Sequence, residues 1–411
     1  MKNRFSPWSL LSVAVIFFAA TVLITWQITY RSATKRVESR YAAMLEGFTT
    51  ENDMSRLVYS VDTAVRASYL GTVDTASLTD STLAGYVGGI GDPYALYLSP
   101  AEYDAYMVSK SEHIRTGIGV TLRPTADALL VMAVYDNTPA SRAGIVPGET
   151  VTEVSGMRVA SLGYYKAIGL LTGGEAESTV TVTVKGTGGE ERKLVVPRAR
   201  LETPTVSSRR LGDGVGVIRI AEFTSDTAAQ FKDAVSTLTA GGVDRFLIDV
   251  RNTPGGDFAG MTGTLDFLLP EGTLCYIEHK DGTREVNVSD TARFDAPMAV
   301  IINAYTSGEA EVFAAAMKSF KAAVLVGETT FGKSLEQEPV ELAGGGAVVL
   351  SVKRYLTADG VDFDGVGIEP DDLMGLSDES KAKGFRLPDE EDAQLMRAKT
   401  LVMQIEPAAV R

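Results

Sequence analysis

The sequence predicts an α/β protein carrying an inserted β-rich module and preceded by one membrane-spanning helix. Three observations carry this reading. From about Leu211 to Asp371, short apolar strand-like runs alternate with helical segments, the pattern of an α/β core. From about His113 to Arg200 the period falls to two, and Gly173-Gly174 and Gly188-Gly189 mark turns. From Phe5 to Tyr30 there is no charge at all.

Within the first of these, Gly216-Val217-Ile218-Arg219-Ile220 reads as a strand, and Thr227 to Leu238 as a helix with Phe231, Val235 and Leu238 on one face. Phe246 to Val250 is a short apolar strand of the kind buried on both faces. Met298 to Asn303 is another, followed by a helix from about Ala310 to Phe320 and a strand from Ala323 to Gly327. The tail after Asp372 has few strand signals, and Asp392-Ala393-Gln394-Leu395 opens a helix. In the β-rich stretch, Leu129 to Val134 and Val180 to Val184 are strands. Ahead of it, Val37, Tyr41, Leu45 and Phe48, then Leu57, Val61 and Val65, recur at helical spacing and predict a packed helical lead-in.

The apolar run from Leu10 to Ile28 meets the ~20 residues a bilayer core requires. Trp8, Trp26 and Tyr30 stand near its ends, where interfacial aromatics sit. It exceeds the ~7–15-residue apolar core of a signal peptide, and no small-x-small cleavage site follows it cleanly. It therefore reads as a retained single-pass anchor. The chain divides into a tip and anchor (1–32), a helical lead-in (33–112), the β-rich module (113–200), the α/β core (201–375) and a helical tail (376–411).

Composition narrows the chemistry. The 411 residues allow two or three folded units, and 45 % hydrophobic residues suffice for real cores. A net charge of −14 is a poor match to a polyanion, so no nucleic-acid partner is expected. The single cysteine, Cys275, permits neither an intrachain disulfide nor a thiolate zinc cluster. The two histidines, His113 and His279, have no ligand-like spacing, so neither a metal nor another cofactor is expected. If the chain is a hydrolase, its base is not a histidine.

Two sets of motifs sharpen this. Thr138-Pro139-Ala140-Ser141-Arg142-Ala143-Gly144-Ile145-Val146-Pro147-Gly148-Glu149 resembles the PDZ pattern of a short helix running into a Gly-containing turn, and Gly117-Ile118-Gly119-Val120 resembles the PDZ carboxylate-binding loop. Successive N–H groups in such a loop can form a nest for a terminal carboxylate, and the adjoining strand edge can pair with an extended tail. In the α/β block stand Asp249 to Gly256, Asn303 to Glu311, Gly327 to Gln337 and Gly367-Ile368-Glu369-Pro370-Asp371. In order and spacing these resemble the carboxy-terminal processing peptidases, or tail-specific proteases, over about residues 40 to 400.

The resemblance implies a ClpP/crotonase-like core working outside the cytoplasmic membrane, whose PDZ domain takes proteins with apolar C-terminal tails. It implies a Ser-Lys serine peptidase with Lys333 as base, Gln337 assisting, and an oxyanion turn at Gly255-Gly256. A lysine base suits a chain poor in histidine, since burial can lower its pKa from near 10.4. At the nucleophile the match breaks. The family's serine precedes the helix-opening glutamate by three positions, and three positions before Glu311 stands Gly308. The interval back from Lys333 leads to the same glycine. The neighbouring Ser307 is the hydroxyl within one residue, and Ser334 replaces the glycine that follows the family's lysine. Two expectations follow: an anchored endopeptidase using Ser307 through a local register shift, or a pseudopeptidase that binds or presents tails without cutting them.

Overall fold

The protein was analysed as a computed structural model. It describes residues 53–111, 115–125, 127–135, 137–162, 164–172, 176–201, 205–290, 294–383 and 387–406, with a few residues between 21 and 31. Most of the predicted anchor, and the lead-in positions up to Phe48, lie outside the described residues. Among those described, no helix is long and apolar enough to cross a membrane.

The chain forms two compact units, Met1–Leu78 and Thr79–Arg411. In the first, Asp53–Ser68 is a helix braced by an i,i+4 pair of Arg66 with Asp62 at 2.8 Å. The helix is where the periodicity places it, but Leu57 and Val61 lie exposed, so the packed face expected of this lead-in segment is not seen.

In the second unit the core is a six-stranded sheet. Its strands run in the order Val206–Gly212, Val215–Ile220, Arg245–Asp249, Met298–Ile302, Val324–Gly327 and Asp372–Leu373. The first pair is antiparallel and the rest are parallel. Parallel pairing needs crossovers, and helices Thr227–Ala240, Phe258–Leu268 and Glu309–Ser319 lie on the connections. Alternation within single strands sorts the side chains. Ile218, Ile248, Val300 and Ile302 join the core that includes Phe231, Phe246 and Phe313. Val217, Leu247 and Ile301 face the other way, onto Leu395, Ala398 and Val402 of the helix Ala393–Val402. Burial on both faces explains why these strands read as continuous apolar runs. A second sheet pairs Ala347–Thr357 with Gly272–His279, which pairs in turn with Arg284–Ser289. The strands Leu96–Leu98 and Leu335–Glu341 also pair with Ala347–Thr357.

The β-rich module has its own antiparallel sheet, ordered Val120–Pro124, Leu129–Val134, Thr150–Val154, Thr179–Lys185 and Glu191–Pro197. Its core includes Ile118, Leu129, Val131, Val154, Leu171 and Val182. The entering strand Arg115–Gly117 pairs antiparallel with the leaving strand Ala199–Leu201, so the module's two ends meet, as insertion into another domain requires. Tyr135 donates to Glu222 at 2.6 Å across the junction with the core.

One buried ionic knot closes the core. Arg251, just beyond the strand Arg245–Asp249, donates to both oxygens of Asp249 (2.7 and 3.0 Å), both oxygens of Asp392 (2.8 and 3.0 Å) and Gln394 (3.0 Å). Asp392 also caps the helix Ala393–Val402 through the Leu395 N–H. Burial by itself would raise the Asp249 carboxyl, but the Arg251 guanidinium holds it down at about 2. Because this pKa lies below the unfolded value near 3.9, the stabilisation is complete above about pH 4 and is lost as pH falls toward 2. Arg251→Met leaves both carboxylates buried without their cation. It is expected to cost about 3–5 kcal/mol in denaturant unfolding at pH 7. A loss below about 1 kcal/mol would contradict the assignment.

Candidate active site

The site is built where two strand ends converge. The chain leaving the strand Arg245–Asp249 runs through Asn252-Thr253-Pro254-Gly255-Gly256, and the chain leaving Met298–Ile302 runs through Asn303 to Gly308. Hydrogen bonds stitch the two loops together. Asn252 N–H donates to Asn303 Oδ1 (3.0 Å), Thr306 Oγ1 to the Val250 carbonyl (2.8 Å), and Ser307 N–H to the Thr253 carbonyl (2.9 Å). Gly256 packs so tightly on the Phe223 carbonyl that a β-carbon there would lie 2.1 Å from its oxygen, which excludes any side chain.

Gly308 stands at the turn into the helix Glu309–Ser319 with φ 62° and ψ −128°. This is a sharp strand-to-helix elbow in a region that L-residues enter only under strain. Space is not the obstacle, since a β-carbon would meet the Pro254 oxygen at 3.5 Å and Gly255 Cα at 3.7 Å, both ordinary contacts. Glycine relaxes the elbow and removes the nucleophile in the same step. Ser307 is beside it but only 3 % exposed.

Glu311 organises the site. Fully buried in the first turn of the helix, its carboxylate receives four donors: Gly308 N–H (3.0 Å), Thr330 Oγ1 (2.5 Å), Gly332 N–H (2.6 Å) and Lys333 N–H (2.7 Å). Burial pushes its carboxyl upward and these bonds oppose the shift. One side chain thus clips the Lys333 loop to the Gly308 elbow. The half-buried Lys333 places Nζ 5.1 Å from the centre of the Tyr94 ring, a cation–π contact. Gln337 donates its amide to the Leu335 carbonyl (2.9 Å) and Ser351 Oγ (3.1 Å). The Ser334 hydroxyl donates to Asp362 (2.7 Å).

The sequence reading missed Glu309. Its Oε2 accepts the Gly256 N–H at 2.8 Å, and its Oε1 accepts the Tyr355 hydroxyl at 3.1 Å. Tyr355 also reaches Glu336 (3.0 Å) and stacks on Phe258 with ring centroids 5.4 Å apart. Burial pushes the Glu309 carboxyl up, against the Gly256 N–H, Lys333 and Tyr355, which all favour its anion. The signal lay in the string Ser307-Gly308-Glu309-Ala310-Glu311, where an acid directly follows the substituted position. Gly255-Gly256, Gly308, Glu309, Glu311 and Lys333 therefore meet. The Gly117–Val120 loop lies in the separate β-rich module. Among the described residues, no group of three or more His, Cys, Asp or Glu side chains is placed to hold a metal. Cys275 is buried, its thiol pushed up to about 12, and His279 lies on an exposed strand paired with Glu285. His113 is outside the described residues.

Strand-end loops, a glycine-glycine turn, a sharp elbow entering a helix and a lysine loop clipped to that elbow make up a serine-peptidase scaffold. Residues 214–374 match the model of peptidase family S41. The chain is 28 % identical over 319 residues to the carboxy-terminal processing protease CtpA of Bacillus subtilis (strain 168), covering 77 % of this chain and 68 % of that protein. It is 30 % identical over 316 residues to the chloroplastic carboxyl-terminal-processing peptidase 2 of Arabidopsis thaliana, covering 73 % of this chain and 61 % of the relative. Among solved structures, the photosystem II D1 C-terminal processing protease superposes with a TM-score of 0.67 at 27 % identity, over 81 % of this chain and 91 % of that one. The chain belongs to the carboxy-terminal processing peptidase family.

Glu311→Ala deprives four donors of their acceptor, and each one left buried costs about 1–3 kcal/mol. The expected loss in denaturant unfolding is about 3 kcal/mol or more, with Glu311→Gln recovering part of it. Equal stability of Glu311→Ala and the parent would show that the clip is not structural.

Proposed function

We propose that the chain is a membrane-anchored, extracytoplasmic member of this family that binds the C-terminal tails of proteins without cleaving them by a Ser-Lys mechanism. The observation that carries the reading is Gly308. The elbow, the clip and Lys333 are in place, and the residue at the elbow has no side chain with which to attack a carbonyl. Ser307 is a poor substitute. It is buried one residue off the elbow, and a misplacement of ~1 Å can cost about a hundredfold in rate.

Tail binding is assigned to the β-rich module, read as a PDZ domain. Its strand Val120–Pro124 is the terminal strand of its sheet, hydrogen-bonded on one side to Leu129–Val134, so its other edge can take an extended peptide. The Gly117–Val120 loop leads into that strand and supplies the N–H nest for the terminal carboxylate. Anchoring rests on the uncharged apolar run from Leu10 to Ile28.

The test uses the full-length chain in detergent with an unfolded protein ending in small apolar residues. The expected result is no cleavage, with binding weakened about tenfold or more when the terminal carboxylate is amidated, since hydrogen bonds to a charged group contribute about 1.5–3 kcal/mol. Cleavage abolished by both Ser307→Ala and Lys333→Ala would overturn the non-cleaving reading and make Ser307 the nucleophile.

A further inference from the structure

We propose that Glu309 is a built-in occupant of the oxyanion position, so that the site is closed to acyl chemistry by two residues and not by Gly308 alone. The inference rests on the non-cleaving reading above and adds a second lock to it.

A scissile carbonyl can be activated at the glycine turn only if its oxygen reaches an N–H that is free to receive it. The Gly256 N–H already donates to Glu309 Oε2 at 2.8 Å. The same oxygen lies 2.2 Å from where a β-carbon on Gly255 would stand, so the carboxylate is seated directly against the turn. It is held from the other side too, because Tyr355 donates to Oε1, and Tyr355 is fixed by its stack on Phe258 and its contact with Glu336. A charge-assisted hydrogen bond is roughly twice as strong as a neutral one, so a neutral peptide carbonyl competes poorly for this N–H. The carboxylate also attracts the Lys333 ammonium, and by reciprocity this attraction opposes the neutral amine that a general base requires.

Only the elbow itself is sterically open to repair. A β-carbon at position 308 makes ordinary contacts, so Gly308→Ser is accommodated. In a repaired site the introduced hydroxyl adds to the carbonyl carbon while its proton passes to the Lys333 amine. The leaving amine departs with that proton, and water then hydrolyses the ester to release the acid and restore the hydroxyl.

Cleavage of an unfolded protein with a small apolar C-terminus is compared across five full-length proteins: the parent, Gly308→Ser, Glu309→Ala, Gly308→Ser with Glu309→Ala, and Gly308→Ser with Glu309→Gln. The expected result is turnover only in Gly308→Ser with Glu309→Ala, at least about a hundredfold above Gly308→Ser, the worth of one oxyanion donor. The glutamine variant keeps a carbonyl oxygen for the Gly256 N–H and is expected to stay slow. If Gly308→Ser alone matches the double variant, the second lock is overturned while the non-cleaving reading stands. If the glutamine variant is as fast as the alanine one, charge and not occupancy is responsible, and the proposal fails. Cleavage by the parent overturns the underlying reading itself. A folded double variant as slow as Gly308→Ser also overturns the proposal. Because substitution at the elbow can impair folding, amide hydrogen exchange at Gly256 is measured in Glu309→Ala alone. Exchange at least about tenfold faster than in the parent is expected, and unchanged exchange overturns the inference.

Discussion

The site depends on one buried carboxylate. Glu311 has no solvent to share its charge with, so the chain must bring donors to it, and it brings four from two segments remote in sequence. A buried anion with fewer partners would be expensive. The Gly308 elbow and the Lys333 loop are thus held in register by the same electrostatic requirement. That requirement is indifferent to the side chain at position 308, because only the Gly308 backbone N–H takes part. The geometry of a peptidase centre can therefore outlast the loss of its nucleophile.

The exchange at the elbow has an energetic logic. A side chain held at φ 62° and ψ −128° stores strain of order 1–3 kcal/mol, which an active enzyme tolerates because the strained turn presents its nucleophile. Glycine removes both the strain and the chemistry. Stability and activity trade against each other in this way wherever a functional residue is held in a disfavoured conformation.

The fold was largely legible in the sequence because it is written in periodicity. The runs Phe246 to Val250 and Met298 to Asn303 are apolar at nearly every position, and they form central parallel strands buried on both faces. The period-two stretch likewise becomes an antiparallel sheet. At the site, Gly255-Gly256, Gly308 and Lys333 were legible as a spaced set of motifs. What escaped is non-local. Glu309 meets Gly256 across 53 positions, and Arg251 meets Asp392 across 141, distances at which no local pattern carries information. The three-residue strand Leu96–Leu98 was hidden for the opposite reason, being too short to show a period inside a stretch read as helical. The exposed Leu57 and Val61 show a third limit: helical spacing of apolar residues predicts a face, but not that anything in the fold will cover it.

Glu309 also bears on what kind of inactive protein this is. A site that has merely lost its nucleophile leaves its N–H donors free and can still draw a peptide carbonyl into the cleft. Here the Gly256 N–H is already engaged by an anion of the chain's own, as it would be by the new carboxyl terminus of a cleaved product. The carboxylate is held by a phenol and a backbone amide, and both are positioned by the core. With that donor engaged, the attraction left for a partner lies in the β-rich module. Its open sheet edge and glycine loop recognise an extended tail through main-chain groups and so do not depend on the chemistry of the elbow.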